Sequence, residues 1–388
     1  MKSLEIFSGA GGLAKGLDLA GIEHAAFVEW NKDACASLRI NFSPGKVYCG
    51  DIKDYDFSLL DKVDIVAGGP PCQPFSLGGK HQADQDQRDM FPYAIKSIEA
   101  LQPKLFIFEN VKGLLRETFA DYFSYILLRL NHPCRTAGPG LDWRSHLDEL
   151  LKLNKSEKVK YRVSHQLLNA ADYGVPQSRE RVVIVGIRED IEQTWHFPKA
   201  THTEDRLLYD QYVTGVYWDR HRVATKNRAS LSPASHERVS AIKGDYLLFA
   251  PEGQPWQTVR DALCDVPDPR TQRGIADHIF RDGARSYAGH TGSYYDLPAK
   301  TIKAGGHGVP GGENMIRYPD GSIRYFTVFE AKRIQTFPDD YVITGAWGEA
   351  LRQIGNAVPV KLAEHLGRAA VELLSRGKKL NTALSVAA

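Results

Sequence analysis

The chain is short of the features that mark several specialised classes of protein. Its five cysteines, Cys35, Cys49, Cys72, Cys134 and Cys264, are odd in number and never form a Cys-x-x-Cys pair. That excludes a disulfide framework and a zinc site, and no metal is expected. No apolar run approaches the length needed to cross a bilayer, so no membrane is expected among its partners. Met1-Lys2 lead straight into a strand-like segment with no signal peptide in view, and the default is a cytoplasmic protein. Net charge is scarce too: 49 Lys and Arg against 47 Asp and Glu leave +2. A polyanionic partner would therefore have to meet one basic face and not a basic chain. Repeats and low-complexity tracts are also missing. What is present, 388 residues of which 43% are hydrophobic, suffices for two domains or for one large domain with an insertion.

The first half alternates strands and helices. Strand-like runs at Ser3–Phe7, His24–Glu29, Val63–Ala67 and Leu105–Phe108 are separated by helical patterns. One helix is capped by Asn31 and reaches about Asn41, and another runs from about Arg88 to Leu101. Short connections between such elements predict a parallel, doubly wound sheet. Tyr161–Leu168 and Arg181–Ile187 read as an antiparallel pair at one edge. Residues 131–157 look like an inserted surface segment. Residues 198–326, rich in Arg, His, Tyr, Trp, Gly and Pro and poor in periodicity, read as a smaller, irregular, β-rich domain. Residues 327–388 return to the first domain, residues 1–197, through a last helix that buries Leu362, Leu366, Ala370 and Leu373 and ends by Gly377.

Between the first strand and the first helix stands Phe7-Ser8-Gly9-Ala10-Gly11-Gly12. Glycines there let the backbone approach a ligand closely, and a helix N-terminus favours its polar or anionic end. Glu29 ends the next strand, where it can accept hydrogen bonds from ribose hydroxyls. The turn alone is compatible with a nicotinamide or flavin dinucleotide, with S-adenosylmethionine, or with a tight βα connection that binds nothing. Trp30 can pack on an adenine, and Asp51, in Gly50-Asp51-Ile52, can meet the adenine amino group.

The strand-like run Val63–Ala67 leads into Gly69-Pro70-Pro71-Cys72-Gln73-Pro74-Phe75-Ser76. A lone cysteine is usually a small core residue. One enclosed by prolines at the carboxyl edge of a parallel sheet has no such place and reads as a nucleophile. Glu109, in Phe108-Glu109-Asn110-Val111, ends the next strand at the same edge and is a candidate proton donor, its alternative being a capping or ion-paired glutamate. Gln177-Ser178-Arg179-Glu180-Arg181 sets Gln177, Arg179 and Arg181 on one face of an edge strand, unless they are ordinary solvated surface.

In this order, with Arg333–Pro338 (RIQTFP) and Gly355-Asn356-Ala357-Val358-Pro359, the motifs closely resemble the cytosine-5 DNA methyltransferases of the bacterial restriction-modification type. The resemblance spans nearly the whole chain. It implies a Rossmann-like S-adenosylmethionine-dependent fold with an antiparallel edge strand and a target-recognition domain at 198–326. It implies S-adenosyl-L-methionine as donor, S-adenosyl-L-homocysteine as product, and contacts to them from Phe7, Gly9, Gly11, Gly12, Glu29, Trp30, Asp51, Ile52, Pro71, Met90, Asn356 and Val358.

The reaction so implied is attack by Cys72 on carbon 6 of a flipped-out cytosine, assisted by Glu109, Arg179 and Arg181. Gln73, Ser76, Lys80, Gln177, Thr301 and Ile302 fall where the family touches DNA. Residues 77–88 correspond to a closing loop, and the glycines with His307 in 304–312 suggest approach to phosphates. Double-stranded DNA is the expected partner, with a cognate restriction endonuclease acting separately, for a monomer in the bacterial cytoplasm or nucleoid. The alternatives are an RNA (tRNA) cytosine-5 methyltransferase, whose Cys-Phe-Thr element this chain lacks, and a non-catalytic DNA-binding homologue, which would lack Cys72 or Glu109.

Overall fold

The structure, a computed structural model, describes all residues except 72–88, 153–158, 232, 246–248, 272–273, 305–313 and 387–388, with side chains at 233–234 and 377–386 also left aside. The chain divides into two compact units. One is built from Met1–Leu168, Glu180–Pro198 and Ala363–Ala388, the other from Asn169–Arg179 and Lys199–Leu362.

The first unit centres on a seven-stranded sheet of β1 (Lys2–Ile6), β2 (Glu23–Glu29), β3 (Val47–Cys49), β4 (Ile65–Gly68), β5 (Leu105–Val111), β6 (Tyr161–Asn169) and β7 (Glu180–Arg188), in the order β3-β2-β1-β4-β5-β7-β6. The pairs β2/β3, β1/β2, β1/β4 and β4/β5 are parallel, and β7 is antiparallel to β5. Chain order turns outward in both directions from β1, so the topological switch point lies between β1 and β4. In open α/β sheets that is where a ligand crevice forms, at the carboxyl ends of the strands. The chain is thus the α/β, doubly wound, Rossmann-like structure expected.

Helices α1 (Gly12–Leu19), α2 (Lys32–Asn41), α3 (Phe91–Leu101), α4 (Ala120–Asn131) and α5 (Trp143–Leu151) accompany this sheet. Asn31 caps α2 as expected, its Oδ1 accepting the Ala34 N–H at 2.8 Å. The helix expected from about Arg88 begins instead at Phe91, where Asp89 Oδ1 accepts the Phe91 N–H at 3.1 Å. Leu4, Ile6, Val66, Ile95, Ile98, Phe106, Phe108, Phe123 and Ile184 form the main core. Part of the inserted segment docks on α4, with the Trp143 ring 5.1 Å from Tyr122 and His146 Nδ1 3.0 Å from the Tyr125 hydroxyl.

The second unit holds β8 (His202–Thr203), α6 (Glu204–Tyr212), α7 (Val216–Arg220), α8 (Pro233–Asp245), β9 (Gln254–Pro255), α9 (Val259–Leu263), β10 (Ser293–Tyr294), β11 (Met315–Arg317), β12 (Ile323–Tyr325), α10 (Val328–Ile334) and α11 (Trp347–Asn356). Strands β10, β11 and β12 form a small sheet, and β8 pairs with β9. Beside these strands stand helices that the weak periodicity did not announce. Thr327 opens α10 with a capping box to Glu330, and Glu330 also takes a two-pronged ion pair from Arg324 at 2.5 and 2.7 Å.

The last helix, α12 (Val360–Val386), buries Leu362, Leu366, Ala370 and Leu373 as expected but continues past Gly377. Within the first unit it meets α1 at Gly367, where a Cβ would stand 2.8 Å from the Ala20 methyl. Among the described residues no helix is long and apolar enough to cross a membrane.

Gly186 of β7 lies directly opposite Phe106 of β5, and a Cβ on it would fall 2.1 Å from the Phe106 ring. Phe106 cannot yield, being fully buried and stacked 5.1 Å from Phe108. Gly186→Ala is expected to destabilise the protein by about 1–3 kcal/mol, as overpacked cores do. Gly45→Ala, at a position with no atom within 4 Å of the new methyl, should leave the thermal midpoint nearly unchanged. Equal midpoints for the two variants would contradict this packing.

Candidate active site

The turn after β1 is built by backbone geometry that its residue types dictate. Gly9 and Gly11 take left-handed φ values of 52° and 82°, and Gly11 is the N-cap of α1, with Gly12 its first residue. Phe7 is left-handed as well, at φ 51°, although a side chain makes that conformation costly. Its ring packs against the main core, which offsets the strain. Over Gly9 no atom lies within 4 Å of where a Cβ would stand.

Glu29, buried at the end of β2, shapes this turn. Its Oε2 accepts the Gly9 N–H and its Oε1 the Asn31 N–H, both at 2.8 Å. The carboxylate is therefore a bracket for the glycine turn, and its two oxygens have further lone pairs on which hydroxyls can donate. Next to it Trp30 is 77% exposed, an unusual position for an indole unless a flat partner covers it. Asp51 caps the short turn Ile52–Asp54 by accepting the Lys53 N–H at 3.0 Å, and Ile52 is buried beneath.

Glu109 and Arg181 meet at the end of β5. Glu109 lies opposite Val183 and Val111 opposite Arg181, so Glu109 and Arg181 are diagonal neighbours on one face of the antiparallel pair, within reach of long side chains. Arg181 Nε is 2.5 Å from Glu109 Oε1, and both side chains are largely buried. On the other flank β5 is parallel to β4, with Phe108 beside Gly68. The Glu109 carboxylate accordingly stands against Gly69, where a Cβ would be 3.2 Å from Oε2.

Asn110, whose role has no signal in the sequence, donates from Nδ2 to the Pro70 carbonyl at 3.0 Å. It ties the Pro-Pro segment to β5. The Pro71 carbonyl in turn accepts the Met90 N–H at 3.4 Å, and Met90 is half-buried at the N-terminus of α3. Cys72, Gln73, Ser76, Lys80 and the expected loop at 77–88 lie outside the described residues, as does most of 304–312. The positions on either side of residues 72–88, Pro71 and Asp89–Met90, are described.

Another cysteine nearby has a different character. Cys35, in α2, is fully buried and its thiol donates to the Glu29 carbonyl at 3.2 Å. Burial, reinforced by the adjoining Cys49, pushes this thiol far up from its ordinary range. Such a group packs and does not attack.

Gln177, Arg179, Thr301, Ile302, Asn356 and Val358 belong to the second unit, where hydrogen bonds link the 177–179 segment to Thr301 and Ile302. Gln177 Oε1 accepts the Ile302 N–H at 3.0 Å, and Thr301 donates to the Ser178 carbonyl at 3.0 Å. Arg179, fully buried, donates to the carbonyls of Ile302 at 3.3 Å and Gly355 at 2.7 Å. The alternation expected along Gln-x-Arg-x-Arg thus separates in use: Arg179 braces the backbone at Ile302 and Gly355, while Arg181 pairs with the Glu109 carboxylate and also donates to the Glu180 carbonyl at 2.8 Å.

Gly355 accounts for its own residue type. A Cβ there would be 2.7 Å from the backbone at Lys303 and Ala304. Gln335, from RIQTFP, donates to the Ile354 carbonyl at 2.7 Å and so holds the following segment, in which Asn356 is exposed and Val358 buried. Asn314, unmarked by any sequence pattern, brackets the Lys303 backbone through bonds of 3.0 and 3.2 Å.

Comparison with known proteins identifies the family. The family model for C-5 cytosine-specific DNA methylase matches residues 1–132 and 145–372. The chain is 32% identical over 378 residues to the Type II methyltransferase M.Sau96I of Staphylococcus aureus, covering 96% of this chain and 76% of that protein. It is 31% identical over 380 residues to the Type II methyltransferase M.PspPI of a Psychrobacter species, covering 97% and 80%. In fold it resembles the Dnmt2 methyltransferase of S. pombe, with a TM-score of 0.58 at 16% identity over 96% of this chain and 99% of that one. The chain therefore belongs to the C-5 cytosine-specific DNA methylase family and is an enzyme of the DNA (cytosine-5-)-methyltransferase class.

Proposed function

We propose that the protein methylates carbon 5 of a cytosine flipped out of a specific double-stranded DNA sequence, through a covalent adduct on Cys72. The observation that carries this reading is the Glu109 carboxylate, held by Arg181 and set against Gly69, three residues before Cys72.

Carbon 5 of cytosine is a poor nucleophile until electrons are pushed toward it. The Cys72 thiolate adds to carbon 6 and makes the ring an enamine. Glu109, carrying a proton, donates to ring nitrogen 3 while its other oxygen accepts from the exocyclic amine. Arg181 fixes that carboxyl and directs its remaining donors at the base carbonyl. Carbon 5 then takes the methyl group, and loss of its proton expels Cys72. Arg179 is a positioning residue, bracing the backbone at Ile302 and Gly355.

S-adenosylmethionine supplies an electrophilic methyl carbon when bound. The residues fit it: the space over Gly9 is open, Glu29 presents a carboxylate at the end of β2, and the exposed Trp30 ring offers a stacking face. Phe7, Gly11, Gly12, Asp51, Ile52, Pro71, Met90, Asn356 and Val358 complete the proposed donor contacts. Gln73, Ser76, Lys80, Gln177, Thr301 and Ile302 are proposed to face DNA, with target recognition in residues 198–326.

The likeness to Type II methyltransferases supports a modification enzyme whose restriction endonuclease acts separately. We take it to work as a monomer in the bacterial cytoplasm or nucleoid.

Incubation with labelled donor should give 5-methylcytosine in duplex DNA and none in total tRNA, and Cys72→Ser should abolish it while keeping donor binding. Label in tRNA alone would refute the substrate, and an active Cys72→Ser enzyme would refute the adduct. Glu109→Gln should lower kcat by roughly 10²–10⁴-fold, the range for a lost general acid. A rate within a few-fold of wild type would remove Glu109 from the chemistry.

A further inference from the structure

In the unit containing Lys199–Leu362, most described arginines are already engaged. Arg260 is held by Asp296 at 2.6 and 3.1 Å, Arg324 by Glu330, and Arg333 by Asp265 and Asp339. Among the described residues of this unit, Arg222, Arg281, Arg285 and Arg317 have neither a carboxylate nor a carbonyl on their guanidinium groups. Two of these four are nevertheless held in orientation. Arg281 lies over the Trp347 ring at 4.4 Å and Arg317 over the Tyr294 ring at 5.6 Å.

A cation–π contact restrains a guanidinium while its N–H groups remain able to donate. Arg260 and Arg324 supply the contrast. Each also lies over a tyrosine, Tyr295 at 4.5 Å and Tyr318 at 5.7 Å, but a buried carboxylate occupies its donors. The same stacked pair serves the interior where an acid is provided and stays available where none is.

The two available arginines belong to one surface. Tyr294 pairs with Arg317 between β10 and β11, and Met315 with Tyr325 between β11 and β12. By strand alternation Tyr294, Arg317 and Tyr325 share a face of the small sheet. The Tyr325 ring is 5.5 Å from Trp347, which carries Arg281. Tyr294 is 47% exposed, Arg281 is exposed and Arg317 half-buried.

We propose that Arg281 and Arg317 are specificity-determining residues, each reading the edge of a guanine in the DNA duplex. This rests on the duplex-DNA reading above and deepens it by naming the residues that choose the sequence. Two parallel N–H groups match O6 and N7 of guanine in the major groove. A guanidinium already restrained against a ring loses less freedom when it binds than a free one. Phosphate also accepts two N–H groups from arginine, but it carries no sequence information.

The test is selection of bound duplexes from a randomised pool by the full chain, with no methylation required. Wild type is compared with Arg281→Ala, Arg317→Ala and Arg317→Lys, all with thermal midpoints like wild type. Wild type should enrich a defined, guanine-containing sequence. Each Ala variant should lose its preference at one guanine by roughly 5- to 150-fold and keep it elsewhere. Arg317→Lys, which retains the charge without the fork, should lose the same preference while its salt dependence stays that of wild type.

Equal weakening on every sequence with a shallower salt dependence would mark a phosphate contact and overturn the assignment. Unchanged selection in both Ala variants, or no sequence enriched by wild type, would overturn it too. Wild type that selects a sequence yet forms no 5-methylcytosine in it would refute the chemistry at Cys72 and leave the arginine assignment standing.

Discussion

Strand β5 has a parallel neighbour on one flank and an antiparallel neighbour on the other, and the candidate site depends on that mixed pairing. The parallel pairing with β4 sets Phe108 beside Gly68, so the residue that follows, Glu109, stands against Gly69. The antiparallel pairing with β7 brings Arg181 diagonally across to the same carboxylate, at 2.5 Å. Had β7 run parallel, its arginine would have come from the opposite end of the strand. Asn110 adds the last constraint by fastening the Pro70 carbonyl to β5.

The proposed donor side lies where the sheet reverses its order. The turn after β1 and the segment after β4 open at the same edge because β1 and β4 are neighbours. Glu29 links sequence to geometry there: it is proposed to meet a ribose, and it holds the N–H groups of Gly9 and Asn31. One carboxylate thus shapes the turn and presents a polar edge above it. Loss of its charge would disturb both.

Much of this was legible in the residues. Apolar runs bounded by turns located β1, β2, β4 and β5 to within two or three residues, and Asn31 announced the start of α2. The motif order identified the family, which comparison bears out. Other features carry no local signal. Asn314 brackets Lys303 through contacts remote in sequence, and Gly355 must be glycine because backbone from residues 303–304 presses on it. Nor does the sequence distinguish Arg179 from Arg181. Their spacing puts them on one face, but only three-dimensional neighbours decide that one meets carbonyls and the other an acid. Helices α6 to α8 carry a weak periodic signal because each buries at most two aliphatic side chains, Leu207 and Leu208 in α6 and Val239 and Ile242 in α8, beside aromatic and polar groups such as Tyr217, Trp218 and Gln211.

The central claim is that Cys72 bonds to carbon 6 of the target base, with Glu109 and Arg181 activating the ring. It is tested most directly with a duplex in which the target cytosine carries fluorine at carbon 5. After methyl transfer such a base has no proton at carbon 5 to lose, so the enzyme cannot be expelled. Intact mass spectrometry in the presence of donor should find one protein bound per duplex, and peptide mapping should locate the bond at Cys72. Absence of the adduct under conditions that methylate ordinary duplex, or a bond at any other residue, would contradict the account.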